Sequence, residues 1–226
     1  MLTKIEGGMG LLMGGTAGVQ AAHVVILGAG TVGLSAAKVA MGMGARVTIL
    51  DSNLFRLRQI DDLFGGRIQT LASNAFNIDA DLLVGSVLIP GALTPKLVTE
   101  AMVKTMKPGS AIVDVAIDQG GCIEPTAKHG ATYHDKPTFK YPVNGGEVVC
   151  YSVGNMPGAV ARTSTFTLTN ATMPYMVDLA NKGWKKACQD DKALARGINT
   201  YDGKVYFKGV SDALGYELHC TCDILK

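Results

Sequence analysis

The chain has 226 residues and a mass of 23.7 kDa, enough for one large domain or two small ones with a sizeable core. With 47% hydrophobic and 18% charged residues it is too apolar for a disordered chain. Its 21 Lys and Arg against 19 Asp and Glu leave a net charge of +2. These charges are scattered, which argues against a nucleic-acid binder working by phosphate neutralisation.

The opening MLTKIEGGMGLLMGG is apolar but too rich in glycine, and too short a run, for a transmembrane helix or a signal core. His23-Val-Val-Ile-Leu27 reads as a buried strand. It runs into Gly28-Ala-Gly-Thr-Val-Gly33, and residues 34–43 carry a helical pattern with Ala36, Ala37, Val39 and Ala40 on the apolar face. Residues 46–50 form a second strand ending at Asp51. This is a βαβ unit, whose right-handed crossover makes the strands parallel.

The alternation continues with a helix over 55–64, strands over 68–71 and 81–88, and a helix over 95–106 with Pro95 in its first turn. Strands over 110–117 and 147–153 follow, with a long loop over 120–146. Such alternation predicts an α/β fold: a Rossmann-type, doubly wound, mostly parallel sheet covered on both faces. After Asn155-Met-Pro-Gly158 the pattern becomes helical over 163–190, with Phe166, Leu168, Met173, Met176, Val177, Leu179, Ala180 and Trp184 at helical spacing and Pro174 starting or kinking a segment. A mixed tail over 197–226 turns at Asp202-Gly203. The expected division is a cofactor domain over 1–158 and a helical segment over 159–226.

Gly28-x-Gly30-x-x-Gly33 sits between a strand and a helix, the context in which this motif binds a dinucleotide pyrophosphate. Gly28 allows the tight turn, Gly30 the close backbone approach, and Gly33 the packing of helix on strand. The anion then meets the helix N-terminus. Asp51 is placed to accept the adenosine ribose hydroxyls, which favours NAD over NADP; the alternative is a helix N-cap. Ser73-Asn74 and the stretch from Val87 to Gly91 lie at the sheet edge where such folds bind ligands. Val87 and Leu88 line a pocket there or simply fill the core. Asp118, at the end of Val113-Asp-Val-Ala-Ile-Asp-Gln-Gly-Gly121, is placed to orient a substrate ammonium beside a nicotinamide. Asp114 is the alternative, as a structural acid. His129 and His134 read as loop histidines rather than general bases.

The five cysteines, Cys122, Cys150, Cys188, Cys220 and Cys222, show no CxxC or metal-ligand spacing, and no metal is expected. Cys220 and Cys222 look too close for a built disulfide, so the thiols are expected reduced and the compartment cytoplasmic.

The runs GGMGLLMGGTAGV, HVVILGAGTVG, VDVAIDQGG and NMPGAV…RTSTFTLTNATMPY together resemble bacterial alanine dehydrogenase, over nearly the whole chain. Transhydrogenase NAD subunits share the general plan. The resemblance implies NAD-dependent oxidative deamination of L-alanine to pyruvate and ammonia, and the reverse. It implies a cofactor site of Gly28, Ala29, Gly30, Thr31, Val32 and Gly33 at the pyrophosphate and Asp51 and Ser52 at the adenosine ribose. Arg56 and Ser73 would lie at the adenine end, and Val87, Leu88, Val115, Asp118, Val153, Asn155 and Met156 around the nicotinamide. Asp118 would be the catalytic carboxylate.

The family carries a large substrate-binding segment before GGMG, supplying an Arg, a Lys and a His, whereas six residues precede that run here. The connection from Asn74 to Asp81 is shorter than the family's, as though a helix were lost, and Ala161 stands where a proline is usual. These departures lead to an expectation of the cofactor-binding half of the enzyme, with an NAD-binding or structural protein without turnover as the alternative. The apolar stripe of 163–190 is expected to mediate homo-oligomer formation, or pairing with a separate chain that carries the substrate domain. Neither a nucleic acid nor a membrane is expected as partner.

Overall fold

The computed structural model describes residues 1–73, 79–89 and 92–226. Two compact units are present: Met1–Leu88 with Leu93–Met156, and Ile89–Ala92 with Pro157–Lys226.

The first unit alternates β1 (His23–Leu27), α1 (Thr31–Gly42), β2 (Arg46–Asp51), α2 (Leu54–Phe64), β3 (Gln69–Ala72), β4 (Leu82–Gly85), α3 (Glu100–Lys104), β5 (Ala111–Asp114), α4 (Glu124–His129), β6 (Thr138–Val143) and β7 (Gly146–Tyr151). These strands form one seven-stranded sheet in the order β3-β2-β1-β4-β5-β7-β6. Every pairing is parallel except that of β6 with β7. The chain therefore starts in the middle of the sheet, builds outward to β3, and returns to the other side of β1. That reversal is the switch point at which doubly wound sheets bind ligands.

The unbroken apolar run of β1 follows from burial on both faces. Val24 and Ile26 join Val47, Ile49 and the buried residues of α1 and α2 in one core. Val25 and Leu27 point the other way, into a core with Leu83, Val98, Val103 and Ile112. α1 sets Gly33, Ala37 and Ala40 against the sheet, and these small residues let the helix lie close. α2 buries Leu57, Ile60 and Phe64 and is capped by Asn53, whose side chain accepts from Arg56 N.

Two sequence expectations are corrected here. The helix over 95–106 shortens to α3, capped by Thr99. Leu97 and Val98 instead donate their N–H groups to Cys122 O, and Val98 pairs with Ile123 as an isolated bridge. Extended backbone held by those bonds leaves Pro95 outside any helix. The loop over 120–146 also contains two elements, α4 and β6. β6 is an antiparallel edge strand, the position where Pro142 costs no ladder bond to a further strand.

Nine residues separate β3 from β4, fewer than the dozen or more usual for a parallel crossover. The lost helix expected there falls largely on residues 74–78, outside the described residues. On the face of the sheet opposite α1 and α2, a cavity of about 380 Å³ is lined by Val25, Leu27, Leu50, Leu71, Val98 and Met102, among others.

The second unit is built on α5 (Ala161–Asp190). Pro174 lies within it, and the helix is kinked at Gly183, whose backbone is non-helical at φ 72° and ψ 160°. Phe166, Leu168, Met173, Met176, Val177 and Trp184 are exposed. α6 (Lys192–Ala195), a hairpin of β8 (Thr200–Tyr201) and β9 (Lys204–Val205), and α7 (Lys208–Leu214) follow. The hairpin turns at Asp202 and Gly203, both with positive φ, as a tight two-residue turn requires. Beyond α7, Cys220 and Cys222 are joined in a disulfide with their Cα atoms 5.2 Å apart. The expectation of reduced thiols at this pair is thereby corrected: one intervening residue keeps the Cα atoms within disulfide range.

Candidate cofactor site

The sequence-predicted residues that the structure describes converge on the carboxyl edge of the sheet in the first unit. The glycine turn follows β1, Asp51 ends β2, Ser73 follows β3, Val87 and Leu88 follow β4, Val115 and Asp118 follow β5, and Val153 to Met156 follow β7. Asn74, Pro90 and Gly91 lie outside the described residues.

The glycine turn is tightly constrained. Gly28 has φ +96°, and a Cβ on it would lie 3.0 Å from Ser86 O. A Cβ on Gly33 would fall 1.9 Å from Gly28 O, so only glycine permits this approach of helix to strand. Gly30 is the N-cap of α1 at φ −72° and ψ −170°, with nothing within 4 Å of where its Cβ would be. Gly30, Thr31 and Val32 are exposed. The N-terminus of a twelve-residue helix thus opens onto free space, the setting in which its N–H groups and dipole favour an anion.

Asp51 and Arg56 clamp this turn from the neighbouring strand and helix. Asp51 Oδ2 accepts from Ala29 N at 2.7 Å, and its Oδ1 accepts from Asn53 N at 2.8 Å. Arg56 Nε donates to Ala29 O at 2.8 Å, and its Nη1 to Gln59 Oε1 at 3.1 Å. Asn53, not Asp51, caps α2. A carboxylate offers about four acceptor positions; two are used within the chain, leaving capacity for a ribose diol. Ser52 and Ser73 are exposed beside it, and Ser73 N donates to Asp51 O at 2.9 Å.

Sequence reasoning missed Ser86. Its buried hydroxyl lies 2.7 Å from Leu27 O and 3.2 Å from Gly28 O, which ties the end of β4 to the turn. A serine after a strand carries no signal of that role, because its partners are set by strand order. Val87 is half-buried against the core, whereas Leu88 is 60% exposed.

At the end of β5, Asp114 and Asp118 separate clearly. Asp114 is fully buried. It accepts from the N–H groups of Ala116, Cys122 and Ile123 and from Thr126 Oγ1 at 2.5 Å. It therefore holds the turn and the start of α4 in place. Asp118 is exposed on the single 3-10 turn Ile117–Gln119. Lys96 Nζ braces the following glycines, donating to Gly120 O at 2.5 Å and Gly121 O at 2.6 Å. Val115 is half-buried, Val153 buried, Asn155 exposed and Met156 half-buried. His129 stacks on Phe139 with ring centroids 3.7 Å apart, and His134 is exposed.

Residues 1–208 match the family model described as alanine dehydrogenase/PNT, C-terminal domain. The chain belongs to this family. It is 98% identical, over 231 aligned residues, to alanine dehydrogenase from Bilophila wadsworthia, an alignment covering all of this chain and 61% of the relative. Among solved structures, an L-alanine dehydrogenase superposes with a TM-score of 0.81 at 45% identity, covering 100% of this chain and 59% of its own. The transhydrogenase from Sinorhizobium meliloti matches less extensively, with a TM-score of 0.55 at 31% identity over 69% of this chain and 44% of its own. This alanine dehydrogenase/PNT domain thus spans about three-fifths of the length of the first two relatives. Among its described residues, no helix is long and apolar enough to cross a membrane.

Proposed function

We propose that this chain is the NAD-binding half of an alanine dehydrogenase, which converts L-alanine, NAD and water to pyruvate, ammonia and NADH. The observation that carries this reading is the glycine turn pinned between Asp51 and Arg56, with open space over Gly30. Residues 28–33 would hold the pyrophosphate, and the spare acceptor capacity of Asp51, with Ser52 beside it, the adenosine ribose. Arg56 and Ser73 would frame the adenine end, and Val87, Leu88, Val115, Val153, Asn155 and Met156 the nicotinamide end. NAD, when bound, would supply the acceptor for the hydride of the substrate carbon.

Asp118 is the candidate catalytic carboxylate. On its braced turn at the end of β5 it would orient the substrate ammonium and stabilise positive charge as it develops at the reacting carbon. Carboxylate binding and proton transfer would come from residues in the part of the relatives that this chain does not span. In this reading residues 1–158 are the cofactor domain and 159–226 the helical segment that carries assembly contacts. The exposed stripe of Phe166, Leu168, Met173 and Met176 supports a homo-oligomer, or pairing with a substrate-domain chain.

The second reading, an NAD-binding or structural protein without turnover, shares the same glycine turn and is separated from the first by turnover alone. The test is an NADH titration of the purified chain by fluorescence, alongside an assay of alanine-dependent NADH formation. NADH binding that weakens about tenfold or more, ~1.4 kcal/mol, in Asp51→Asn, at a temperature where circular dichroism shows the variant folded, supports the cofactor site. Wild-type affinity in that variant overturns it. Turnover by the chain alone would exclude the second reading.

A further inference from the structure

The five cysteines fall into two chemically distinct groups. Cys122, Cys150 and Cys188 are free and buried. Burial, reinforced by the Asp114 charge, pushes the Cys150 thiol up to about 12, and burial raises Cys122 and Cys188 as well. At neutral pH these three carry almost no thiolate and lie out of reach of a reagent. Cys220 and Cys222 are both exposed and bonded to each other across Thr221.

The two sulfurs of that pair are not equivalent. Cys222 N lies 3.3 Å from Cys220 Sγ and donates toward it, an arrangement that favours negative charge on Cys220. Cys222 Sγ lies 3.6 Å from Asp223 Oδ1, whose carboxylate disfavours negative charge on Cys222. The turn is anchored rather than loose. Ile224 N and Leu225 N donate to Thr221 O, and Gln189 Nε2 on α5 donates to Leu225 O at 2.6 Å. The geometry around both sulfurs is therefore set by the fold of this unit.

We propose that Cys220 and Cys222 form a thiol–disulfide exchange site for low-molecular-weight disulfides, with Cys220 as the attacking thiolate and Cys222 as the resolving thiol. In the reduced protein, Cys220 thiolate attacks one sulfur of the disulfide RSSR. A Cys220–SR bond forms, the RS–SR bond breaks, and one RS⁻ leaves. Cys222 then gives its proton to solvent and attacks Cys220 Sγ. The Cys220–Cys222 bond forms and the second RS⁻ leaves. The protein dithiol loses two electrons and two protons, and RSSR becomes two RSH. A small dithiol runs the same steps backward. The site is built from residues of the second unit alone and uses none of those assigned to the cofactor, so it stands independently of the cofactor reading.

The test uses the full purified chain, reduced with a dithiol, desalted and exposed to oxidised glutathione, with acid quenching and peptide mass spectrometry. The expected result is loss of two hydrogens on the peptide holding residues 220 and 222, with Cys122, Cys150 and Cys188 unmodified. Cys222→Ser should accumulate one glutathione adduct at Cys220. Cys220→Ser should acquire its adduct at Cys222 about three- to tenfold more slowly, as expected for a smaller thiolate fraction partly offset by nucleophilicity. Both substitutions are at exposed positions and spare the core. A reduced pair that stays a dithiol in oxidised glutathione overturns the proposal, as does labelling of the three buried cysteines at the same rate. Equal or faster reaction at Cys222 overturns the assignment of the attacking sulfur.

Discussion

The glycine turn gives the sharpest test of how fold and site are coupled, because two glycines three residues apart face opposite constraints. An alanine at 33 would place its Cβ 1.9 Å from Gly28 O and 2.8 Å from Ser86 Oγ. Helix and strand would have to part by over 1 Å to restore an ordinary carbon–oxygen contact of about 3.3 Å. Overpacking of this kind costs roughly 1–3 kcal/mol, and disturbing the Ser86 bonds to Leu27 O and Gly28 O adds about 1 kcal/mol. Alanine's better helix propensity returns about 1 kcal/mol. The net expectation for Gly33→Ala is a loss of roughly 1–3 kcal/mol, which for a chain of this size lowers the melting temperature by roughly 3–10 °C. Gly30→Ala meets nothing within 4 Å and has negative φ, so it carries only the poorer N-cap of alanine, about 0.5–1 kcal/mol, and its melting temperature should fall by about 1–4 °C. Its methyl would occupy the space assigned to the pyrophosphate, and NADH binding should weaken about tenfold or more, ~1.4 kcal/mol. Thermal melts and fluorescence titrations of both variants separate the two effects. A Gly33→Ala protein that melts with the parent refutes the packing argument, and parent-like NADH affinity in Gly30→Ala refutes the placement of the phosphates.

Two further outcomes follow from the buried acid and from a surface pair. Asp114→Ala leaves three backbone N–H groups and the Thr126 hydroxyl without their acceptor. It should cost roughly 3–5 kcal/mol in urea unfolding; a loss below about 1 kcal/mol would show that the network is not what holds the turn. Lys107, hydrogen-bonded to Asp79 at 2.6 Å, holds that carboxyl below the usual carboxylate range. A depressed folded-state pKa stabilises the fold in full above the unfolded value near 4, and that share is lost as pH falls further. Lys107→Met should therefore flatten the acid limb of stability below about pH 4. Urea midpoints measured between neutral and acid pH that fall in parallel for parent and variant would remove this pair as a cause.

The alternation of strand and helix and the glycine turn were legible in the chain because they rest on local patterns. Apolar runs such as Val24 to Leu27, small residues at 33, 37 and 40, and glycines at fixed offsets encode strand, helix and turn within a few residues. The same holds for the Asp202-Gly203 hairpin, whose turn chemistry is local. The second role of Asp51, beyond ending β2, was not legible. Its bond to Ala29 N joins two strands whose pairing is a property of the sheet.

What only the tertiary structure decided are contacts between segments distant in sequence. The helix expected over 95–106 was shortened because Leu97 and Val98 found a partner in Cys122 O, a competition invisible to local propensity. β6 escaped notice because an edge strand half open to solvent carries no continuous apolar run, and Pro142 argues against a strand until its edge position is known. Asp114 and Asp118 lie four residues apart on one strand exit and look alike as letters. Burial against Cys122, Ile123 and Thr126 makes the first a structural pin, and the second is open to solvent. Hydrophobic period is written into the chain residue by residue, whereas burial and hydrogen-bond satisfaction exist only once distant segments meet.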